Sequence, residues 1–553
     1  MNSAIHLGGL DLIELALAFV LIGFAFFWRS HLYPALTALA ARPRICAVVV
    51  GGLPVVLRLA LIPNHPIPTP QVADDFSYLL LADTLRHFRL ANPAHPLSQF
   101  FATLFVLQQP TYSSIFSPGQ GIVLAAGWNL LGNPWAGVVA SVAAMCAGCY
   151  WMLRGWTTPV CSLVGGLFAA LTFGALNQWM NSYWGGAVSG FAGCLVFGAL
   201  PRFRDTGRPV YSAVIGLGIA IQSLTRPFET VLLVVVVAIY FGLEIRRRPG
   251  LRVVLSALAP VTAALAFMGF YNHAVTGSWT TLPYEVSRYQ YGVPTSFTFQ
   301  PNPVPHRDLT PEEELDYKIQ VQLHGAGSDT PARFFGRLWQ RLPIYCFFFV
   351  PPLLIAVVAY LWTLRRRDSL FLAITVCIFA TGTNFYPYFY SHYIAALTCV
   401  FVLISMIGLA RLGRVGVLVG YVCAFHFMFW YGVHLLDAAG LAQAVERFET
   451  GDNINEPDPQ GRVTVRSALD RVPGKQLVFV RYGAMHTFEE WVCNGAEIDN
   501  QRVIWARDLG EENQRLIAYY PGRTLWLLQP DRHPPQLSAY REGPEPIIME
   551  QVP

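Results

Sequence analysis

Long apolar stretches alternate with short polar connections over the first 435 residues of the chain. A bilayer core about 30 Å thick needs roughly 20 apolar residues per helix. About twelve stretches approach that length, which predicts an α-helical polytopic membrane domain over residues 1–435. They lie near residues 8–27, 45–62, 134–153, 159–179, 185–200, 210–224, 228–243, 253–272, 343–363, 369–385, 393–410 and 415–435.

Arginine clusters occupy alternate connections between these stretches. They comprise Arg29, Arg42, Arg44, Arg154, Arg202, Arg204, Arg208, Arg246, Arg247, Arg248, Arg252, Arg365, Arg366, Arg367, Arg411 and Arg414. With twelve spans, all of them fall on one side of the membrane, which the positive-inside rule makes cytoplasmic. Segments 63–133 and 273–342 and the tail 436–553 are therefore predicted to lie outside the cytoplasm.

The three extracytoplasmic segments differ in character. In segment 63–133, amphipathic stretches that begin at Phe76 and Leu97 predict helices lying in the membrane interface. Segment 273–342 is rich in Pro, Tyr, Gln and Glu, which predicts a partly mobile loop. In the tail, short apolar strands alternate with a helical stretch, which predicts a small α/β domain.

The composition excludes several classes of protein. Hydrophobic residues make up 54% of the chain and charged residues only 13%, whereas soluble proteins carry about 25% charged residues. The net charge of +4 is small, so a nucleic-acid partner is not expected. The chain contains no Walker loop, no H-E-x-x-H and no G-x-S-x-G, so the usual motifs of ATP-driven transport and of hydrolases are absent.

Two adjacent carboxylates, Asp74 and Asp75, follow the second apolar stretch. Neighbouring like charges repel, so such a pair indicates either a chemical or a structural use. One carboxylate could act as a general base, with the other orienting it or binding a divalent cation such as Mg²⁺ or Mn²⁺. The alternative is a helix N-cap with a second acidic residue in the first turn.

A second feature is the sequence Arg226-Pro227-Phe228-Glu229 at the extracytoplasmic end of a span. Arginine binds phosphate through two parallel hydrogen bonds and stays charged, so Arg226 is a candidate phosphate ligand. The alternatives are an ion pair with Glu229 and snorkelling of the side chain to the interface.

Aromatic and polar residues cluster at three other extracytoplasmic span ends. An aromatic belt accounts for many such residues, whereas sugar-binding sites use the same amphipathic rings. Both interpretations remain open for these clusters. Their candidate substrate-binding residues are Asn181, Tyr183, Trp184, Tyr284, Glu285 and Tyr393.

The order of these parts resembles the GT-C superfamily of polyprenyl-phosphate-sugar-dependent glycosyltransferases. Within it, the chain is similar to the protein O-mannosyltransferase and aminoarabinose transferase group. The resemblance rests on the acidic pair, the Pro110–Gly121 re-entry that includes Tyr112, the Arg226-Pro227 step and the soluble tail. It covers about residues 44–435.

This resemblance implies an inverting displacement at the anomeric carbon, with Asp74 as the general base beside Asp75. Arg226, together with Arg288 or His392, would neutralise charge on the departing polyprenyl phosphate. Tyr112 would contribute to the substrate site. The implied partners are a polyprenyl-phosphate-linked sugar donor, a glycan, lipid or protein acceptor, and the bilayer of a bacterial inner (cytoplasmic) membrane.

The chain departs from the family pattern in one respect. Many members carry a second acidic residue in the next extracytoplasmic connection, and none occurs in segment 177–184. Either Asn181 substitutes for it, or Glu229 or Glu285 supplies the carboxylate. The departure leaves the need for a divalent cation open.

Two other function classes compete with a transferase. A secondary transporter of a small or lipidic solute would predict paired broken helices in two halves, and no such internal repeat is visible. The other class is a non-catalytic protein of envelope assembly.

Overall fold

The computed structural model describes residues 33–244, 250–325, 329–435, 458 and 460–540, together with five isolated positions before residue 24. Apart from those five positions, the predicted span at 8–27 lies outside the described residues.

Apolar helices dominate the described chain up to residue 435. Those long and apolar enough to cross a membrane are Pro43–Ala60, Trp135–Trp156, Leu251–Thr276, Ser391–Leu412 and Arg414–Leu435. A sixth span results if Pro331–Phe348 and Pro351–Leu361, which are bent by 113°, count as one. Shorter apolar helices are Pro159–Thr172, Pro209–Thr225 and Pro227–Leu243. By length and composition, the described helices therefore account for up to six spans, and the count of twelve stays a prediction.

The remaining helices include Ala73–Arg86, Pro118–Leu131, Ala187–Thr206, Pro283–Tyr291, Pro311–His324 and Arg367–Thr383. Many of these helices begin with proline, whose fixed φ suits the first helical position and whose missing N–H is not needed there. Gly132 and Gly207 end two of them in the left-handed conformation, with φ of 74° and 63°. Prolines at the first position and glycines after the last one thus define the ends of these helices locally.

Segment 63–133 departs from its predicted structure. The stretch from Leu97 was expected to form an interfacial helix, but it forms a single turn at Ser98–Phe101 followed by the strand Val106–Leu107. That prediction is wrong because the apolar residues of this stretch do not face lipid. Phe100 and Phe101 are buried in a cluster with Leu477 and Phe479 of the C-terminal sheet.

Segment 273–342 contains three helices, Pro283–Tyr291, Pro311–His324 and Pro331–Tyr345. All three helices begin at proline. In each of the first two, the glutamate at the third helical position accepts a hydrogen bond from the N–H of the residue just before the helix. Such capping explains how a segment without long apolar runs is helical.

The described part of the tail forms a four-stranded sheet. Its central strand, Gln476–Val480, pairs in parallel with Val503–Arg507 on one side and Thr524–Gln529 on the other. The strand Gln536–Ala539 adds antiparallel at one edge. The helices Arg462–Asp470 and Asn513–Tyr519 accompany the sheet. The three parallel strands are short apolar runs, as buried parallel strands require.

This domain is hydrogen-bonded directly to the first extracytoplasmic segment. The N–H of Ala73 donates to Phe488 O over 2.8 Å, and Tyr112 Oη donates to Asn494 O over 3.0 Å. The N–H of Ala496 donates to Asp83 Oδ2 over 2.6 Å. The domain is therefore positioned against the helix that carries Asp74.

Close helix packing at Gly193 generates a stability prediction. A Cβ added at Gly193 would lie 1.8 Å from Ala396 O, in the segment that precedes helix Thr398–Leu412. We expect Gly193→Ala to lower the apparent Tm of the purified protein, because overpacking costs about 1–3 kcal/mol. Gly420→Ala is the matched control, since nothing lies within 4 Å of its added Cβ. Equal Tm values for the two variants would contradict this packing.

Candidate active site

A cavity of about 1330 Å³ lies between the membrane domain and the C-terminal domain. Ten of the thirteen site residues proposed from the sequence line it. They are Asp74, Asp75, Asn181, Trp184, Arg226, Glu229, Tyr284, Arg288, His392 and Tyr393. The cavity thus brings the acidic pair, the Arg226 step and the aromatic clusters together.

The other three proposed residues, Tyr112, Tyr183 and Glu285, do not line the cavity. Tyr112 donates to the C-terminal domain as described above. Tyr183 Oη donates to Pro68 O over 2.9 Å, and the Glu285 carboxylate accepts the N–H of Leu282 over 2.8 Å. Each side chain is therefore occupied by a contact that supports the fold.

Asp75 takes the structural role among the two adjacent carboxylates. Its Oδ2 accepts the N–H groups of Gln71 and Val72 at 3.0 and 3.4 Å, which caps the helix Ala73–Arg86. Its Oδ1 accepts the N–H of Tyr183 at 2.8 Å. Burial raises the pKa of Asp75 to about 6, although these three N–H groups favour the ionised form. Asp75 therefore caps the helix from its third position, as the second acidic residue of the first turn, whereas the N-cap position that the sequence suggested for an aspartate is occupied by Val72.

Asp74, in contrast, lines the cavity and is not held by other residues. Among the described residues, no other residue donates a hydrogen bond to its carboxylate, which has only its own backbone N–H as a neighbouring donor. Burial, together with the negative charge of Asp75, raises the pKa of Asp74 to about 7, while Arg226 opposes the shift. A carboxylate with a pKa near neutrality is suited to accept a proton from a substrate.

Arg226 lies at the junction between the helices Pro209–Thr225 and Pro227–Glu244. The residue before a proline is disfavoured in the helical conformation, and Arg226 accordingly has φ −142° and ψ 83°. Its guanidinium carbon lies 5.0 Å from the centroid of the Tyr393 ring. Within the described part of the chain, Arg226 forms no ion pair within 4 Å, so the proposed pair with Glu229 is not formed.

Arg288 and His392 are less free than Arg226. Arg288 donates from Nε to Pro294 O over 3.1 Å, which holds its side chain against the neighbouring loop. The His392 ring packs edge-on against Trp184 with centroids 4.8 Å apart, and its Nδ1 has no hydrogen-bond partner among the described residues. Both line the cavity, Arg288 with its Nε and Nη2 already bonded to backbone carbonyls and His392 with its Nδ1 without a partner in the described structure.

Asn181 supports the site rather than replacing a carboxylate. Its Oδ1 accepts a hydrogen bond from Nε of the buried Arg58 over 3.0 Å, and its Nδ2 donates to Ala175 O and Asn177 O. Arg58 also donates to His65 O over 2.7 Å, so it joins the start of the first segment to the turn that carries Asn181. This network determines where Tyr183 meets Asp75.

Several lining residues were not singled out in the sequence. They include Gln178, Thr225, Phe228, Phe297, Gln320, Tyr386, Tyr388 and Tyr390 from the membrane domain, and Gln460, His486, Phe488, Glu489, Trp491 and Asp531 from the tail. The tyrosines belong to an aromatic cluster at a span end, so the sequence already indicated that they could contact a substrate. The tail residues carry no motif, and only the docking of the domain brings them to the cavity.

The residues of the cavity do not fit a divalent cation. In the described part of the chain, no group of three or more His, Cys, Asp or Glu side chains could hold a metal ion. Asp75 already accepts three N–H groups, which leaves Asp74 as the free carboxylate of the pair. Mg²⁺ and Ca²⁺ require several oxygen ligands, which this pair does not supply.

No family model and no curated protein matches the chain. Among solved structures, it is similar to the Archaeoglobus fulgidus oligosaccharyltransferase in complex with Zn and sulfate, with 12% identity, a TM-score of 0.43, and 88% of this chain and 67% of that chain covered. It is also similar to ArnT from Cupriavidus metallidurans bound to undecaprenyl phosphate, with 11% identity, a TM-score of 0.47, and 86% and 92% covered. The activity of this chain is inferred from its own residues.

The raised pKa of Asp74 predicts how stability depends on pH. Because its pKa is about 7 in the folded protein, Asp74 keeps a proton that the unfolded chain releases near pH 4, and stability falls as pH rises between these values. We expect Asp74→Asn to raise the apparent Tm at pH 8 by about 2–4 °C and to change it less at pH 5. A Tm difference that is the same at both pH values in a thermal melt would contradict the assignment.

Proposed function

We propose that the protein is a membrane glycosyltransferase that moves a sugar from a polyprenyl-phosphate donor to an extracytoplasmic glycan, lipid or protein acceptor. The supporting observation is that Asp74 and Arg226 line one cavity and that neither is paired within the described structure. An unpaired base and an unpaired cation are the two groups that this reaction needs.

In the proposed reaction, Asp74 accepts the proton of the acceptor hydroxyl as its oxygen attacks the anomeric carbon. The bond from that carbon to the phosphate oxygen breaks, and the polyprenyl phosphate leaves with the electron pair. Arg226 neutralises the charge that develops on the leaving oxygen. Attack opposite the leaving group inverts the anomeric configuration. Asp75 positions Asp74 by capping its helix.

The surroundings of Arg226 provide a path for the lipid tail. Arg226 precedes the helix Pro227–Glu244, whose Val231, Val234 and Val235 side chains are exposed. Exposed valines on an apolar helix suit contact with lipid tails. A prenyl chain could extend along this face with its phosphate at Arg226.

The origin of the lining residues supports the proposed orientation. The lining residues come from connections and span ends that the arginine pattern places outside the cytoplasm. None of the described lining residues comes from an arginine-rich connection. The contributing ranges are 69–117, 178–184, 225–229, 284–323, 386–393 and 458–535. We therefore propose that the cavity and the C-terminal domain lie on the extracytoplasmic face of a bacterial inner membrane with twelve spans.

The role of Asp74 can be tested by isosteric substitution. We expect Asp74→Asn to reduce sugar transfer from an undecaprenyl-phosphate-linked donor pool by about 10²–10⁴-fold, because general-base catalysis contributes that much. In the wild type, kcat/KM should rise with pH through about 7, the pKa of Asp74. Full activity of both Asp74→Asn and Asp75→Asn would exclude the mechanism. Uptake of solute into vesicles without a lipid donor would favour a transporter.

The role of Arg226 can be tested without knowing the sugar. We expect Arg226→Gln to weaken binding of undecaprenyl phosphate by about tenfold or more, since a hydrogen bond to a charged group contributes about 1.5–3 kcal/mol. Native mass spectrometry of the purified protein titrated with this lipid measures the change. Arg414→Gln, at an exposed arginine outside the cavity, is the control. Equal binding by the two variants would refute a phosphate site at Arg226.

A further inference from the structure

The wall of the cavity formed by the C-terminal domain contains a histidine–carboxylate pair. His486 Nδ1 lies 2.7 Å from Asp531 Oδ1, and Asp531 Oδ2 accepts the N–H of Gly483 over 2.7 Å. The His486 ring stacks on Tyr482 with centroids 4.0 Å apart. Tyr482 is itself held in place, because its hydroxyl accepts the N–H of Trp491 over 2.8 Å. The imidazole therefore has a defined position and orientation.

The second nitrogen of this imidazole is available for a hydrogen bond. Because Nδ1 faces a carboxylate, it carries a proton, and Nε2 is the polar atom that the ring offers to a ligand. His486 is only 6% exposed and lines the cavity, and its Nε2 has no hydrogen-bond partner among the described residues. A buried polar atom without a partner is costly, so a ligand hydroxyl at Nε2 would relieve that cost.

The two walls of the cavity differ in their cations. Asp458, Glu489 and Asp531 line the C-terminal side, whereas the side of the membrane domain carries Arg226 and Arg288 beside the carboxylates Asp74, Asp75 and Glu229. Within residues 458 and 460–540, the part of the tail that the structure describes, no Arg or Lys lines the cavity. A phosphorylated or carboxylated group would meet like charges here, whereas a neutral hydroxyl would not.

We propose that His486, oriented by Asp531, binds a hydroxyl of the acceptor, and that the acceptor presents a neutral saccharide to this wall. The proposal rests on the transferase function above and specifies the acceptor of that reaction. The saccharide O–H donates to Nε2, and no covalent bond changes at His486. His486 is therefore a binding residue, and Asp74 remains the base.

Saturation-transfer NMR on the full chain in nanodiscs tests this site without a donor. The probes are the neutral methyl α-glycosides of glucose, mannose and galactose, and methyl α-glucoside 6-phosphate. We expect the neutral glycosides to give signals that depend on His486, whereas any signal of the phosphorylated one should be lost in Arg226→Gln and not in His486→Asn. His486→Asn should keep an N–H for Asp531 but lose the group at Nε2, which weakens binding about tenfold at an unchanged Tm. Asp531→Asn, which releases the ring, should also weaken it.

His95→Asn is the matched control, because His95 is a buried histidine beside a carboxylate, Asp499, outside the cavity. Its glycoside signals should equal those of the wild type. Wild-type signals of the neutral glycosides retained in His486→Asn, no signal from any neutral glycoside, or signals of the phosphorylated probe that His486→Asn removes would each overturn the proposal. Undecaprenyl phosphate binding in the same nanodiscs reports on the transferase function separately, since it depends on Arg226 and not on His486.

Discussion

The carboxylate of Asp75 joins segments that are distant in the sequence. Its two oxygens accept N–H groups from the start of its own helix and from Tyr183, more than a hundred residues further along the chain. Arg58 holds the same turn through Asn181, so a buried cation and a buried carboxylate position it from two sides. Loss of the Asp75 carboxylate would leave buried N–H groups without acceptors, which is costly in a water-poor site. The position of Asp74 depends on this arrangement.

As a consequence, the two adjacent aspartates have different roles in the proposed reaction. Asp75 is saturated by backbone donors, whereas Asp74 faces the cavity and holds its proton more tightly than a solvent-exposed carboxyl. The helix break before Pro227 places Arg226 in the same cavity, where it has an aromatic face as neighbour and, among the described residues, no carboxylate within 4 Å. An unsatisfied base and an unsatisfied cation in one enclosed space are costly to stability and useful to a reaction that moves a proton and releases a phosphate.

The C-terminal domain is part of this site rather than an appendage. Apolar side chains from segment 63–133 complete the core of its sheet, and its loop 483–491 meets the first turn of the helix that carries Asp74. Its wall contributes carboxylates and histidines, whereas the membrane domain contributes carboxylates and two arginines. The cavity thus has two chemically different sides, one suited to an anionic lipid phosphate and the other to neutral hydroxyl groups.

Local patterns in the sequence alone were sufficient to locate most of the described apolar helices, three of the four strands of the C-terminal sheet and the acidic pair, because hydrophobic spacing, prolines and glycines act over a few residues. They could not distinguish Asp74 from Asp75, which differ in that Asp75 accepts the N–H groups of Gln71, Val72 and Tyr183. They also assigned the stretch from Leu97 to the membrane interface, since nothing local shows that its apolar face is covered by a sheet 370 residues later. The tertiary structure decided these points, as it decided that His486 reaches the cavity, because each depends on contacts between distant segments.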